Sequence, residues 1–445
     1  MQRISFFGSG VVGLASAVVF SSKGVETIIT DKDLEKLDAI KSGKSPFREP
    51  KLEELLRGSL QSGKLRVNND QKSTVLESEI TLVTVGTPTN HDGSIDLSQL
   101  KSTVESVGIA LSQKKEYHLM VIKSTVTPGT TSNLVKSMLE DKSKKTVGKD
   151  IGLAVNPEFL REGSAIEDTM NPHLILIGSA DAISADRLED FYKESYQRHD
   201  LPIMKVNIET AELIKCANNA FLATKISYVN TLANICSRIE GVDVEAVARA
   251  IGMDPRIGPL FLKAGPGYGG SCLPKDVKAL SHFAESIGYD ALFFKMVERV
   301  NELQPHVILS IAEKLIGRFT NKTIAILGLA FKKGTDDVRE SISVVIVEYL
   351  IKQGSTVKVH DPMAMENVRP IFKDRIQYCE KAIDCLKDSD CCLILTDWDE
   401  YRNLRSEDFI RNMKEPNVID AWRVLRINGS GKIRYVAFGI GSYLK

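Results

Sequence analysis

Residues 3–20 read Arg3-Ile4-Ser5-Phe6-Phe7-Gly8-Ser9-Gly10-Val11-Val12-Gly13-Leu14-Ala15-Ser16-Ala17-Val18-Val19-Phe20, and this stretch decides the fold. Arg3 to Phe7 has the character of a short buried strand, and the run after Gly10 that of an apolar helix. Between them stands Gly-x-Gly-x-x-Gly, at Gly8, Gly10 and Gly13. A second strand, Val25 to Thr30, ends at Asp31, about twenty residues beyond the glycines, which is the context a dinucleotide site requires. The helix start formed by Gly8, Gly10, Val11, Val12 and Gly13 can receive a pyrophosphate. Asp31 would accept hydrogen bonds from ribose hydroxyls and repel a 2′-phosphate, so NAD is expected rather than NADP. The same residues resemble a signal peptide superficially, but the glycines interrupt the run and no Ala-x-Ala cleavage pattern follows.

Outward from this core, Ile80 to Val85 is a strand ending at Gly86-Thr87-Pro88, and Leu119 to Ile122 is one ending at Lys123-Ser124-Thr125. Strands alternating with helical stretches predict an α/β fold with a parallel, doubly wound sheet, whose ligands bind beyond the strand carboxyl ends. Both polar turns are candidates to face the cofactor, although ordinary strand-to-helix turns use the same residues. Ile151 to Val155 runs into Asn156-Pro157-Glu158-Phe159-Leu160-Arg161-Glu162-Gly163. Its carboxylates Glu158 and Glu162 can orient water or move protons beside a cofactor; an exposed loop is the plainer alternative.

Residues 209–240 contain neither Pro nor Gly and place apolar side chains at helical spacing, which predicts one long connecting helix. Glu212, Lys215 and Asn219 share a face of it. An ammonium and an amide there can stabilise an oxyanion, and a solvated polar stripe has the same spacing. Farther on, Gly269-Gly270-Ser271-Cys272-Leu273-Pro274-Lys275-Asp276 sets a cysteine just ahead of a predicted helix start. Proline is tolerated in that first turn, and the free amides there, with Lys275 nearby, favour a thiolate. An inert cysteine in a glycine turn is the alternative.

The last third repeats the strand, glycine turn and helix logic without a full Gly-x-Gly-x-x-Gly. Strands at Thr323–Leu327, Thr356–His360 and Cys391–Leu395, with Gly328-Leu329-Ala330-Phe331-Lys332 after the first, predict a second doubly wound domain. Phe331 and Lys332 are its candidate nucleotide contacts.

The chain has 445 residues, and Lys+Arg and Asp+Glu both total 58, giving zero formal net charge. No basic block interleaved with aromatics is present, so a small-molecule partner fits better than nucleic acid. Seven scattered cysteines without metal-ligand spacing indicate reduced thiols, with neither a disulfide framework nor a metal site. No apolar run reaches the roughly 18 residues of a membrane span, and a cytoplasmic location is expected.

Taken together, the chain resembles the nucleotide-sugar 6-dehydrogenase family. The likeness is carried by Gly8 to Gly13 with Asp31, Val85 to Pro88, Lys123 to Val126, Asn156 to Gly163, Glu212 to Asn219, Arg256-Ile257-Gly258, Gly265 to Asp276, Gly328 to Lys332 and Thr335 to Ser341. The resemblance implies two Rossmann-like domains, at 1–205 for NAD and 318–445 for the nucleotide sugar. It implies a helical centre at 206–300 whose long helix builds a homodimer. It implies a four-electron oxidation of a sugar C6 alcohol to a carboxylate, consuming two NAD, with UDP-glucose the foremost substrate and UDP-glucuronate the product.

By matching motifs, Cys272 becomes the nucleophile, Lys215 and Asn219 the oxyanion holders, and Asp276 an aid to base and water chemistry. Thr125 and Glu158 would position water. Asp31, Lys36, Thr87, Ser124, Thr125, Glu162, Lys275 and Arg339 would contact NAD. The nucleotide sugar would meet Glu158 to Glu162 (Phe159, Leu160 and Arg161 included), Lys215, Asn219, Lys263, Gly265, Tyr268, Gly269, Phe331 and Lys332, with Arg256 reaching across the dimer. GDP-mannose, a UDP-N-acetylhexosamine, or a two-electron hydroxyacid oxidation are the alternatives.

Two departures from the family pattern stand out. Pro172-His173-Leu174 replaces Pro-Asp-Arg, and Asp420-Ala421-Trp422-Arg423 replaces Asp-Gly-Arg, which leaves Arg423 or Arg426 as the C-terminal substrate arginine. Neither is expected to touch the reaction centre.

Overall fold

The structure, a computed structural model, describes residues 2–427 and 431–441. The chain forms two compact units, 1–218 and 219–445. The first is built on β1 (Ile4–Phe7), β2 (Thr27–Thr30), β3 (Leu65–Val67), β4 (Ile80–Val83), β5 (His118–Ile122), β6 (Ile151–Val155), β7 (Ile175–Ser179) and β8 (Ile203–Val206). The second holds β9 (Thr323–Leu327), β10 (Thr356–His360), β11 (Gln377–Tyr378), β12 (Cys391–Ile394), β13 (Asn417–Asp420) and β14 (Arg434–Ala437).

The first sheet runs β3-β2-β1-β4-β5-β6-β7-β8 and the second β11-β10-β9-β12-β13-β14. Six strands of the first and all six of the second therefore follow the order 3-2-1-4-5-6 of dinucleotide-binding sheets, as the glycine turns predict. The expectation of a wholly parallel first sheet needs one correction: β7 pairs antiparallel with β6. An antiparallel neighbour starts at the end where the previous strand stops. The segment 156–174 thus stays at the carboxyl ends of β1 to β6, where a cofactor binds.

Each sheet is buried on both faces because successive side chains alternate. In β5, Leu119 and Val121 join one core with Ile4, Phe6 and Leu14, while Met120 and Ile122 join another with Phe7, Val104 and Leu139. In β9, Ile324 and Ile326 pack on one side and Ala325 and Leu327 on the other. The long helix spans Ile208–Cys236, 29 residues, a few short of its expected end. It starts in the first unit and ends in the second. Among the described residues, no helix is long and apolar enough to cross a membrane.

Candidate active site

The first helix, Val11–Ser22, begins at Gly10, and no acidic side chain stands in its first turn. A Cβ on Gly8, whose φ is 107°, would lie 2.8 Å from the Thr84 backbone, and one on Gly13 would lie 2.0 Å from the Gly8 carbonyl oxygen. A Cβ on Gly10 would meet nothing within 4 Å. Two glycines thus close the turn and the third keeps the helix start open, which is how a backbone receives a pyrophosphate.

Asp31 ends β2 and is half-buried. Its carboxylate accepts hydrogen bonds from the Ser9 amide (2.6 Å), the Ser9 hydroxyl (2.7 Å) and the Asp33 amide (3.0 Å). Burial alone would raise its pKa, but these donors outweigh that and hold it below the ordinary value. The acid therefore stays charged beside the glycine turn, as ribose recognition requires. The Thr87 hydroxyl donates to the Thr125 carbonyl at 2.8 Å and the Ser124 hydroxyl to the Val85 carbonyl at 2.7 Å, binding together the loops after β4 and β5. These residues fit NAD. Lys36 is exposed on the next helix, 3.5 Å from Asp33.

Beyond β6 lies the carboxylate of Glu158, 3.0 Å from the Lys215 ammonium, with both side chains under one-tenth exposed. The Leu160 amide donates to it at 2.6 Å. Lys215 also lies 5.4 Å from the Phe159 ring centroid. The polar face of the long helix is therefore no solvated stripe. Glu212 serves a separate end: it accepts from the amides of Gly129 (2.7 Å) and Thr131 (2.9 Å), capping the turn after Thr125.

Arg161 pairs with Asp168 at 2.6 Å. Glu162 is half-buried, and the amides of Gly163 and Ala165 that follow it donate to Glu49. The His173 ring stands edge-on to Phe159 at 5.7 Å.

In the second unit, Cys272 is the one exposed cysteine of the seven and forms the N-cap of the helix Leu273–Ser286. The Asp276 amide returns to the Cys272 carbonyl at 2.9 Å. Asp276 itself is buried; it accepts from the Asn219 amide at 2.6 Å and pairs with Lys275. Asn219 is thus fixed by the acid that follows the cysteine.

The preceding glycine loop is pinned by the long helix and by Leu292–Ile316. Gly265 donates to Asn230 at 2.9 Å, and Tyr268 exchanges backbone bonds with the Asn301 side chain at 2.8 and 2.9 Å. A Cβ on Gly269 would lie 2.3 Å from the Glu340 carbonyl, and one on Gly270 2.7 Å from the Phe331 ring. Only glycine lets the cysteine loop approach the turn after β9 so closely. Lys332 lies over that ring at 5.6 Å.

The outer candidates carry partners of their own. Arg256 is exposed and paired with Asp254, Arg339 with Asp337, and Lys263 with Asp397 at 3.2 Å. Arg423 forms a two-pronged pair with Asp243, while Arg426 is exposed.

The second glycine turn differs from the first. Asp361, the counterpart of Asp31, accepts from the amides of Leu329, Ala330, Met363 and Ala364 and from the Trp398 indole. Ala330 is buried where the exposed Gly10 stands in the first turn. This carboxylate takes five donors against three at Asp31, and Ala330 closes the helix start that Gly10 leaves open.

Sequence reasoning missed Glu49 altogether, and it named Lys123, Asn156 and Glu212 without the partners they take. Each acts through contacts distant in the chain, so no local spacing announces it.

Residues 2–196, 209–303 and 325–427 match, respectively, the NAD binding, central and UDP binding domains of the UDP-glucose/GDP-mannose dehydrogenase family. A UDP-glucose 6-dehydrogenase of Haloferax volcanii is 39% identical over 95% of this chain and 97% of its own. One of Bacillus subtilis is 39% identical over 99% of this chain and 93% of its own. The solved structure of a UDP-glucose dehydrogenase from Pyrobaculum islandicum is 36% identical, covers 97% of this chain and 98% of its own, and superposes with a TM-score of 0.89. The open glycine cradle with its charged Asp31 and these matches along the chain agree: the protein is an NAD-dependent oxidoreductase and belongs to the UDP-glucose/GDP-mannose dehydrogenase family.

Proposed function

We propose that the chain oxidises UDP-glucose at C6 to UDP-glucuronate, with Cys272 holding the sugar between two NAD-dependent oxidations. One observation carries this reading: an exposed thiol at a helix start, followed by a buried acid that grips Asn219. A binding module has no need of such a thiol. The names of the relatives support UDP-glucose as the sugar, and the family's UDP binding domain at 325–427 supports a uridine over a guanosine nucleotide.

NAD, when bound at Gly8 to Gly13 and Asp31, takes one hydride in each oxidation. The chain's own groups do the rest. After the alcohol becomes an aldehyde, the Cys272 sulfur adds to C6, forming a C–S bond while the carbonyl pair becomes an alkoxide. Lys215 and Asn219 stabilise that oxygen. Loss of the second hydride leaves a thioester on Cys272, so the aldehyde never escapes. Water, positioned by Thr125 and Glu158 with Asp276 assisting, then breaks the C–S bond, returning the thiol and releasing the carboxylate. Lys36, Thr87, Ser124, Glu162, Lys275 and Arg339 would contact the cofactor, and the loop Lys263 to Gly269 with Phe331 and Lys332 the nucleotide sugar. The cytoplasm, which keeps thiols reduced, suits this chemistry.

The division of labour we infer is NAD at 1–205, the cysteine loop and subunit contact at 206–300, and the nucleotide sugar at 318–445. A homodimer along the long helix is supported by Phe221, Tyr228 and Ile235, exposed by 63%, 55% and 49% at seven-residue spacing. Such a stripe on a helix suits a second copy of itself.

The decisive experiment is the yield of NADH from a limiting amount of UDP-glucose. Two per sugar is expected, with an acyl adduct of the sugar on Cys272 in intact-protein mass spectra. One per sugar, with activity surviving in Cys272→Ala, would overturn the proposal.

A further inference from the structure

We propose that Lys123 is a positioning residue for the Glu158–Lys215 pair, an inference that rests on the functional reading above. Lys123 directly follows β5, and its side chain is buried. Its ammonium donates to the Asn156 side-chain oxygen at 2.8 Å and reaches the Asn156 carbonyl at 3.4 Å. The same side-chain oxygen accepts from the Tyr192 hydroxyl, and the Asn156 amide donates to Leu176 on β7 at 2.8 Å. The strand end that carries Glu158 is therefore tied to β5, to β7 and to the helix Ala182–Tyr196 through one lysine and one asparagine.

Two facts make this more than a packing contact. An open cleft lies beside the group, lined among others by Lys123, Asn156, Glu158, Phe159, His173 and Tyr192. Glu158 borders that cleft, and the Lys215 ammonium and the Leu160 amide fix its direction. Second, a buried amine is expensive to keep where methionine would fill the same space. Burial pulls the Lys123 pKa down to about 8, opposed by the nearby Glu158 charge and assisted by Lys215. Glu158 thus feels the charge of two ammonium groups. The other titratable groups on this cleft are Asp168, paired with Arg161, and His173, Tyr192 and Tyr196.

The test is steady-state kinetics of the full-length enzyme with UDP-glucose and NAD. Lys123→Met is expected to lower kcat by about ten- to a hundredfold while both KM values stay within about threefold, since the lost interaction matters in the transition state. Lys123→Arg, which keeps the charge and donors, should recover most of kcat. A Lys123→Met enzyme with wild-type kcat overturns the proposal. If that variant does not fold, Lys123→Gln decides: reduced kcat at constant KM supports positioning, and wild-type kcat overturns it. Loss of folding in both neutral variants, beside full activity in Lys123→Arg, reduces the residue to a structural role and equally overturns it. A wild-type enzyme that leaves UDP-glucose unoxidised sinks the functional reading instead, which keeps the two failures distinct.

Discussion

The Lys215 ammonium sits 3.0 Å from the Glu158 carboxylate in a nearly water-free setting, joining the long helix to the end of β6. Burial would by itself raise the carboxyl pKa, but the Lys215 charge and the Leu160 amide bring it below the ordinary value. The Lys215 charge keeps the Glu158 carboxyl ionised, which suits a group that orients water. Glu158→Gln keeps the shape and removes the charge. We expect kcat to fall by about a hundredfold, within the range of general-base losses. The unfolding free energy should fall by about 1–3 kcal/mol, less than complete rupture of a buried pair. Denaturant titration checks the second value. A Cys272 acyl adduct that accumulates during turnover checks that hydrolysis is the step affected.

The three glycines of the first turn should separate into two kinds. Gly13→Ala forces a methyl toward the Gly8 carbonyl, 2.0 Å from the ideal Cβ position, and is expected to cost about 1–3 kcal/mol of stability as other overpacked sites do. Gly10→Ala meets no protein atom within 4 Å and should keep its melting temperature. It should nonetheless raise KM for NAD at least about tenfold by occupying the pyrophosphate's place. Thermal melting and NAD titration of the two variants decide this; equal melting temperatures would remove the distinction.

Asp31 has its folded pKa below the ordinary 3.8, so the folded state binds fewer protons than the unfolded chain near that pH. The stabilisation is therefore complete above pH 3.8 and is lost as pH falls through the folded value. Wild type should exceed Asp31→Asn in stability by about 1 kcal/mol at pH 7, and the difference should shrink in acid. The same variant should narrow the preference for NAD over NADP by about tenfold or more, because the repulsion of a 2′-phosphate is gone. Urea melts at several pH values and paired cofactor kinetics test each half separately.

Phe221 and Tyr228 stand exposed on the long helix although both are large and apolar. Charged replacements, Phe221→Glu with Tyr228→Glu, should convert a dimer into monomers without harming the fold. Light scattering of wild type and double variant gives the masses. A monomeric wild type at micromolar concentration refutes the proposed assembly.

The local code carried most of the architecture. β6, β9 and β10 lie where alternation and punctuation place them, and the first glycine turn with Asp31 announced its ligand class, because a strand, a turn and a helix start are all fixed by neighbours in the chain. The reversal of β7 was not legible: an apolar run has the same period in either direction. Residues 209–240 revealed a helix and the shared face of Lys215 and Asn219, yet could not say whether that face meets water.

Sequence alone therefore determined the two doubly wound sheets, the cofactor cradle and the cysteine at a helix start, all set by steric and hydrogen-bonding rules that act within a few residues. Tertiary structure decided that Glu158 pairs with Lys215, that Glu212 caps a turn instead of joining them, that Asp276 holds Asn219, and that Asp361 closes its own loop. Those outcomes turn on which charges share a dry interior. Burial strengthens every electrostatic contact and penalises every unpaired one, and it exists only once distant segments have packed.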